Sequence, residues 1–123
     1  MQSIDHSLME YALKKYGAEE YICNEKDIQK MDSYTVSDVI QTSISSDLSL
    51  RAKLIPHGRI LEENLDEHYY IMLLPFGLLK AAEAMVVIKR YEDKIELIVY
   101  SKDTSAPQKS AIKAMKTVKG FFE

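Results

Sequence analysis

The sequence predicts an α+β domain: an antiparallel sheet of about four or five strands with an N-terminal and a C-terminal helix packed on it. Three observations carry this. Apolar residues recur every four positions at the start of the chain, the middle holds β-branched and aromatic runs broken by turn residues, and the end returns to a helical period with lysines opposite the apolar positions. At 123 residues and 46% apolar content, residues 1–123 have the size and composition of one domain. A chain of this length buries roughly two thirds of its unfolded surface, so it needs no metal or disulfide staple.

Ser3 is placed to cap a first helix in which Ile4, Leu8, Ala12 and Tyr16 lie four apart, joined by Met9, Tyr11 and Leu13, with Gly17 as a left-handed stop. EYIC, residues 20–23, reads as a short strand, and Asn24 as the cap of a turn or two of helix through Lys30. DSYTVSDVIQTS, residues 32–43, mixes β-branched with capping residues and supports helix and strand equally. From Asp47 the period becomes two: Leu48, Leu50, Ala52 and Leu54 alternate with Ser49, Arg51 and Lys53, which predicts a strand with one wet face. Pro56-His57-Gly58 suits a hairpin turn with glycine in the left-handed position, and Arg59 to Glu62 is then the return strand. Val86 to Tyr91 and Lys94 to Tyr100 flank Glu92-Asp93 as a second hairpin. After a polar connector, Ser101 to Pro107, residues Ala111, Ile112, Met115, Val118 and Phe122 share one face of a last helix.

Between the hairpins runs YYIMLLPFGLLKAAEAMVVI, residues 69–88, whose only charges are Lys80 and Glu83. Twenty residues of helix at about 1.5 Å each would cross a hydrocarbon core of ~30 Å. The interruptions argue against a span. Mid-run, a proline costs a helix roughly 3 kcal/mol and a lysine at the bilayer centre about 2.5–3.5 kcal/mol, while each aliphatic residue returns only ~0.3–0.6 kcal/mol. The run therefore parses as a buried strand from Tyr69 to Leu74 ended by Pro75 and Gly77, a short LLKAAEA excursion, and a second buried strand.

Charge is unevenly distributed. Residues 1–70 hold 13 acidic and 7 basic side chains, whereas residues 71–123 hold 6 acidic and 9 basic, with Lys109, Lys113, Lys116 and Lys119 on the outer face of the last helix. The single Cys23 and the absence of an apolar leader in MQSIDHSLMEYALKKYG predict a reducing, cytoplasmic setting.

Motifs for chemistry are sparse. His57, His68, Glu62, Glu63, Asp66 and Glu67 are metal-ligand types, but no HxH, HExxH or CxxC frame sets two of them on one face. Cys23 in YIC reads as a small buried hydrophobe, and no GxSxG elbow supports a serine nucleophile. Adjacent carboxylates, Glu19-Glu20 and Glu62-Glu63, point to opposite faces of a strand. Glycines 17, 58, 77 and 120 are too scattered for a phosphate loop, although Arg59 beside Gly58 could hold an anion. No catalytic, cofactor-binding or metal residue is therefore assigned.

The expected function is a non-enzymatic protein–protein interaction module, an adaptor, inhibitor or chaperone-like domain, that forms a homodimer. Eight tyrosines and six methionines favour contact surfaces. The acidic first part calls for a basic partner. Leu73, Leu74, Phe76, Leu78 and Leu79 are more apolar surface than one turn hides, and are the expected interface. The alternative is a nucleic-acid binder using the C-terminal lysines with Arg51, Lys53 and Arg59. A small hydrolase or metal enzyme ranks third.

Overall fold

Among the described residues, five strands, β1 (Thr35–Gln41), β2 (Arg59–Asn64), β3 (Tyr69–Phe76), β4 (Ala82–Arg90) and β5 (Lys94–Tyr100), form one antiparallel sheet in the order β1-β5-β4-β3-β2. The structure is a computed structural model describing residues 5–20, 22–42, 44, 46–80, 82–102 and 109–122, without the side chain of Leu78. Four helices accompany the strands: α1 (Ser7–Ala12), α2 (Glu25–Gln29), α3 (Asp47–Leu54) and α4 (Lys109–Gly120). The expected Ser3 cap, Ile4, Tyr21 and the Pro107 start of the last helix lie outside the described residues.

Strands β2 to β5 run as a meander, and β1 closes the far edge against β5, from Thr35 opposite Tyr100 to Gln41 opposite Lys94. The chain must then pass from one edge of the sheet to the other, and α3 lies on that path. Strand alternation buries both faces. Tyr70, Met72, Leu74 and Phe76 of β3, with Val86, Ile88, Leu97 and Val99, pack beneath Leu50 and Leu54 of α3 and Ala114, Met115 and Val118 of α4. Tyr69, Ile71, Leu73, Met85, Val87, Ile98 and Tyr100 pack beneath Met9, Ala12, Leu13 and Cys23 on the opposite side. The first and last helices thus cover different faces, and the molecule has three layers. A strand buried on both sides reads as a continuous apolar run, which accounts for residues 69–88: they form the β3–β4 hairpin, paired from Tyr69 opposite Lys89 to Phe76 opposite Ala82. No helix among the described residues is long and apolar enough to cross a membrane.

Several local expectations hold. Asn24 caps α2 through a capping box with Asp27, each side chain bonding the other residue's backbone N–H at 2.9 and 3.0 Å. The hairpin around Glu92-Asp93 is present as β4–β5. Residues 32–43, undecided from sequence, contain β1.

Others are corrected. Residues 48–54 are helix α3, not a strand: Ser46 Oγ accepts the Ser49 N–H at 3.1 Å, and the period of two contains the four-residue spacing of Leu50 and Leu54, the two leucines that are buried. Leu48, one residue pair earlier, is 74% exposed. Pro56-His57-Gly58 is no hairpin turn, because Pro56 sits in a single 3-10 turn (Ile55–His57) that prolongs α3. Gly58 is extended, with φ −171°. What demands glycine is space, since a Cβ there would run into the Leu73 carbonyl. Arg59 does begin a strand, but β2 pairs with β3, with a bulge between Ile60 and Glu62. Gly17 closes a wide π-type turn (Leu13–Gly17) rather than making a left-handed stop, and a Cβ there would strike Cys23 Sγ. Ile22 and Cys23 lie in no strand. Pro75 does not end β3: the last β2 partner is Leu73, so Pro75 lies where that side of β3 is a free edge and a missing N–H is tolerated. The 78–84 excursion is one 3-10 turn (Leu78–Lys80), and β4 already starts at Ala82. On α4, Ile112 is half exposed and Ala114 fills the buried face instead.

Candidate interaction surface

Three of the five residues of the leucine patch expected from the sequence lie inside the chain. Leu73, Leu74 and Phe76 are buried in the chain's own two cores, at 3%, 1% and 4% exposure. Only Leu79, 91% exposed at a left-handed φ of 56°, reaches solvent, and the Leu78 side chain lies outside the described residues. The cause is the three-layer packing, which covers both sides of β3.

A highly connected polar group is Glu62, which no sequence motif marked. It follows the β2 bulge and points toward α1, where Tyr11 OH donates to its two oxygens at 2.7 and 2.9 Å and Lys15 Nζ approaches Oε1 at 2.9 Å. Tyr16 OH and Tyr69 OH complete the set at 2.6 Å each. Burial is the strongest single influence and pushes the carboxyl pKa up, but the bonds from Tyr16, Tyr69, Lys15 and Tyr11 together outweigh it and hold Glu62 at about 2. A carboxylate offers about four lone-pair sites. Three phenols and an ammonium occupy them, leaving no acceptor for a substrate proton, and a group this acidic is a poor general base. The cluster fastens the N-terminal layer to β2 and β3.

A second node joins the other layer to the sheet. Asp47 in the first turn of α3 takes Arg90 Nε at 2.8 Å on Oδ1, lies 2.8 Å from His68 Nδ1 through Oδ2, and its backbone carbonyl accepts Tyr70 OH at 2.9 Å. The Arg90 bond, with help from His68 and against burial, holds Asp47 below the usual carboxylate range. His57, the other imidazole considered as a ligand, stacks on Phe121 at 3.8 Å between ring centres. Among the described residues, no three His, Cys, Asp or Glu side chains converge. Cys23 is buried, and burial pushes its thiol pKa up, away from a reactive thiolate. The cleft of about 430 Å³ beside it is lined by Asp27 and Lys102, which are already paired at 3.0 Å.

Internal pairing also offsets part of the acidic excess of residues 1–70. Glu20 pairs with Arg59, Glu62 with Lys15, Glu63 with Arg51, Asp27 with Lys102, Asp38 with Lys119 and Asp47 with Arg90. Three of those cations, Arg90, Lys102 and Lys119, come from residues 71–123 and so offset three of the six excess carboxylates of residues 1–70, while Arg51, Arg59 and Lys119 are engaged in separate pairs rather than gathered into one basic surface. Lys53 on α3 and Lys109, Lys113 and Lys116 on α4 remain exposed, and none takes part in an ion pair among the described residues. The three on α4 lie along one stripe at spacings of four and three residues. Ile112 adjoins them at 48% exposure. Leu48 and Ile55, the latter 47% exposed, belong to α3 and its 3-10 extension in the same layer. Helix α4 thus carries cations and an exposed aliphatic group side by side, in a layer with two more exposed aliphatic side chains.

The features define a class: a three-layer α+β domain whose outer helix is basic and partly apolar. No protein-family model matches the chain, and no curated protein or solved structure matches it.

Proposed function

We propose that the protein is a non-enzymatic protein-binding module, an adaptor or inhibitor, whose α3–α4 layer docks an acidic, amphipathic partner segment. The observation that carries this reading is the coexistence on α4 of exposed Ile112 with three lysines that form no ion pair among the described residues. Carboxylates on a partner would pair with the ammonium groups, while an apolar residue would cover Ile112 and displace its water. The partner's charge is opposite to what the acidic residue count suggested, because this reading rests on the lysine stripe of α4 and not on the acidic excess of residues 1–70, half of which is paired within the chain. A nucleic acid would use the lysines alone, and no aromatic residue interleaves them to stack bases. A reducing, cytoplasmic setting accompanies the reading, since Cys23 is a buried free thiol.

Fluorescence anisotropy with a labelled helical peptide carrying glutamates four apart around a leucine, and in parallel with labelled duplex DNA, tests it. The expected result is peptide binding that falls about tenfold or more in Lys113→Glu/Lys116→Glu and measurably in Ile112→Ser. DNA binding that Ile112→Ser leaves unchanged, with no peptide binding, would replace this reading by the nucleic-acid one.

A further inference from the structure

We propose that the partner of the α4 surface is a second copy of this chain, whose cleft between α1 and α2 receives Ile112 and the lysines beside it. The inference rests on the reading of α4 given above and names the partner. The cleft holds about 520 Å³, with Glu10 and Lys14 on one wall and Glu25, Ile28 and Gln29 of α2 on the other. Both carboxylates are exposed, and Ile28 is only partly covered by the core it packs against. Glu25 takes part in no ion pair among the described residues. Glu10 has a contact with Lys14 at 3.8 Å between two exposed side chains, a pair too long and too wet to hold it. The cleft therefore offers what α4 requires, carboxylates around an apolar side chain with room for an aliphatic group to enter.

The two surfaces can meet only between copies. Met9, Ala12 and Leu13 seat the N-terminal layer on one face of the sheet, while Ala114, Met115 and Val118 seat α4 on the other. No chain can therefore lay its own α4 in its own cleft. On α2, Glu25 and Ile28 lie three residues apart on one side of the helix; on α4, Lys109 and Ile112 lie three apart, and Lys113 and Lys116 continue the stripe. The common spacing sets Ile112 against Ile28 and the ammonium groups around Glu10 and Glu25. Covering the two isoleucines supplies affinity, and the charges orient the encounter. Lys14, the only cation lining the cleft among the described residues, opposes the fit. Because the contact joins two different surfaces, each pair of copies keeps one open cleft and one open α4, and association runs head to tail instead of closing into a two-fold dimer. Helix α2 is five residues long, so the interface is small and Kd is on the order of 100 μM.

Sedimentation velocity of the full chain between about 10 μM and about 1 mM reads the association, with Glu10→Lys/Glu25→Lys and Lys113→Glu/Lys116→Glu run alone and mixed. The expected wild-type mass rises with concentration without levelling at a dimer, falls back toward the monomer in about 0.5 M salt, and rises several-fold more readily in Lys14→Glu. Each double variant alone is monomeric, since its cleft and its α4 then carry like charge. An equimolar mixture of the two associates again, which also shows that both are folded. Association that either reversal leaves unchanged, or a mixture that stays monomeric, would overturn the inference. A wild type that is monomeric at about 1 mM while its α4 still binds the acidic peptide overturns this inference alone, and one that binds neither overturns the α4 reading with it.

Discussion

Glu62 is the residue on which the N-terminal layer depends. Its folded pKa of about 2 lies below the ordinary 4.5, so its contribution is fully present above pH 4.5 and is lost as pH falls toward 2. Urea unfolding of Glu62→Gln is expected to show a loss of about 2 kcal/mol at pH 7, shrinking toward zero near pH 2 as the wild-type carboxylate takes up its proton. A constant difference across that range would show that charge contributes nothing. Gly58 makes the opposite point, since its role is only to be small. Gly58→Ala drives a Cβ into the Leu73 carbonyl and is expected to cost about 1–3 kcal/mol, read as a lower thermal midpoint. Neither role was legible in the sequence. Tyr11 and Tyr16 lie 51 and 46 positions from Glu62, beyond the reach of any local pattern, and Glu62 stood out in the sequence only as a metal-ligand type without a frame.

At the scale of elements, what sequence resolved depended on how local the deciding interaction is. The α2 cap closes within four residues and the β4–β5 hairpin around two, and both were readable. Helix α3 was misread because leucines at 48, 50 and 54 satisfy a period of two and the four-residue helical spacing alike. The choice fell to the Ser46 cap and to the need to carry the chain from β1 to β2. An alanine scan separates the alternatives. Leu50→Ala and Leu54→Ala are expected to cost about 2–5 kcal/mol each and Leu48→Ala under about 0.5 kcal/mol, whereas in a strand all three would be comparably costly. The β3 leucines show the same limit from another direction, for continuous apolarity marks burial without naming what covers it. Phe76→Asp is accordingly expected to unfold the protein, by on the order of 4 kcal/mol, rather than release a folded monomer. Circular dichroism of the purified variant decides between these.

For the molecule as a whole, the fold class followed from element order, yet the layering did not, because a helix pattern states which side of the helix is apolar and not which face of the sheet receives it. The candidate surface was half legible. Lys109, Lys113, Lys116 and Lys119 stood out by spacing, but only the structure separates Lys119, paired with Asp38, from the three that form no ion pair among the described residues, and only packing turns Ile112 outward. The same pairing offsets half of the acidic excess of residues 1–70, through Arg90, Lys102 and Lys119. The central claim is that the α3–α4 layer is where this protein meets another. An amide chemical-shift map of the isotopically labelled protein, titrated with the acidic amphipathic peptide, tests it most directly. The account predicts perturbations concentrated at Ile112, Lys113 and Lys116 and extending to Ile55. Shifts centred on the N-terminal helices, or none at millimolar peptide, would contradict it.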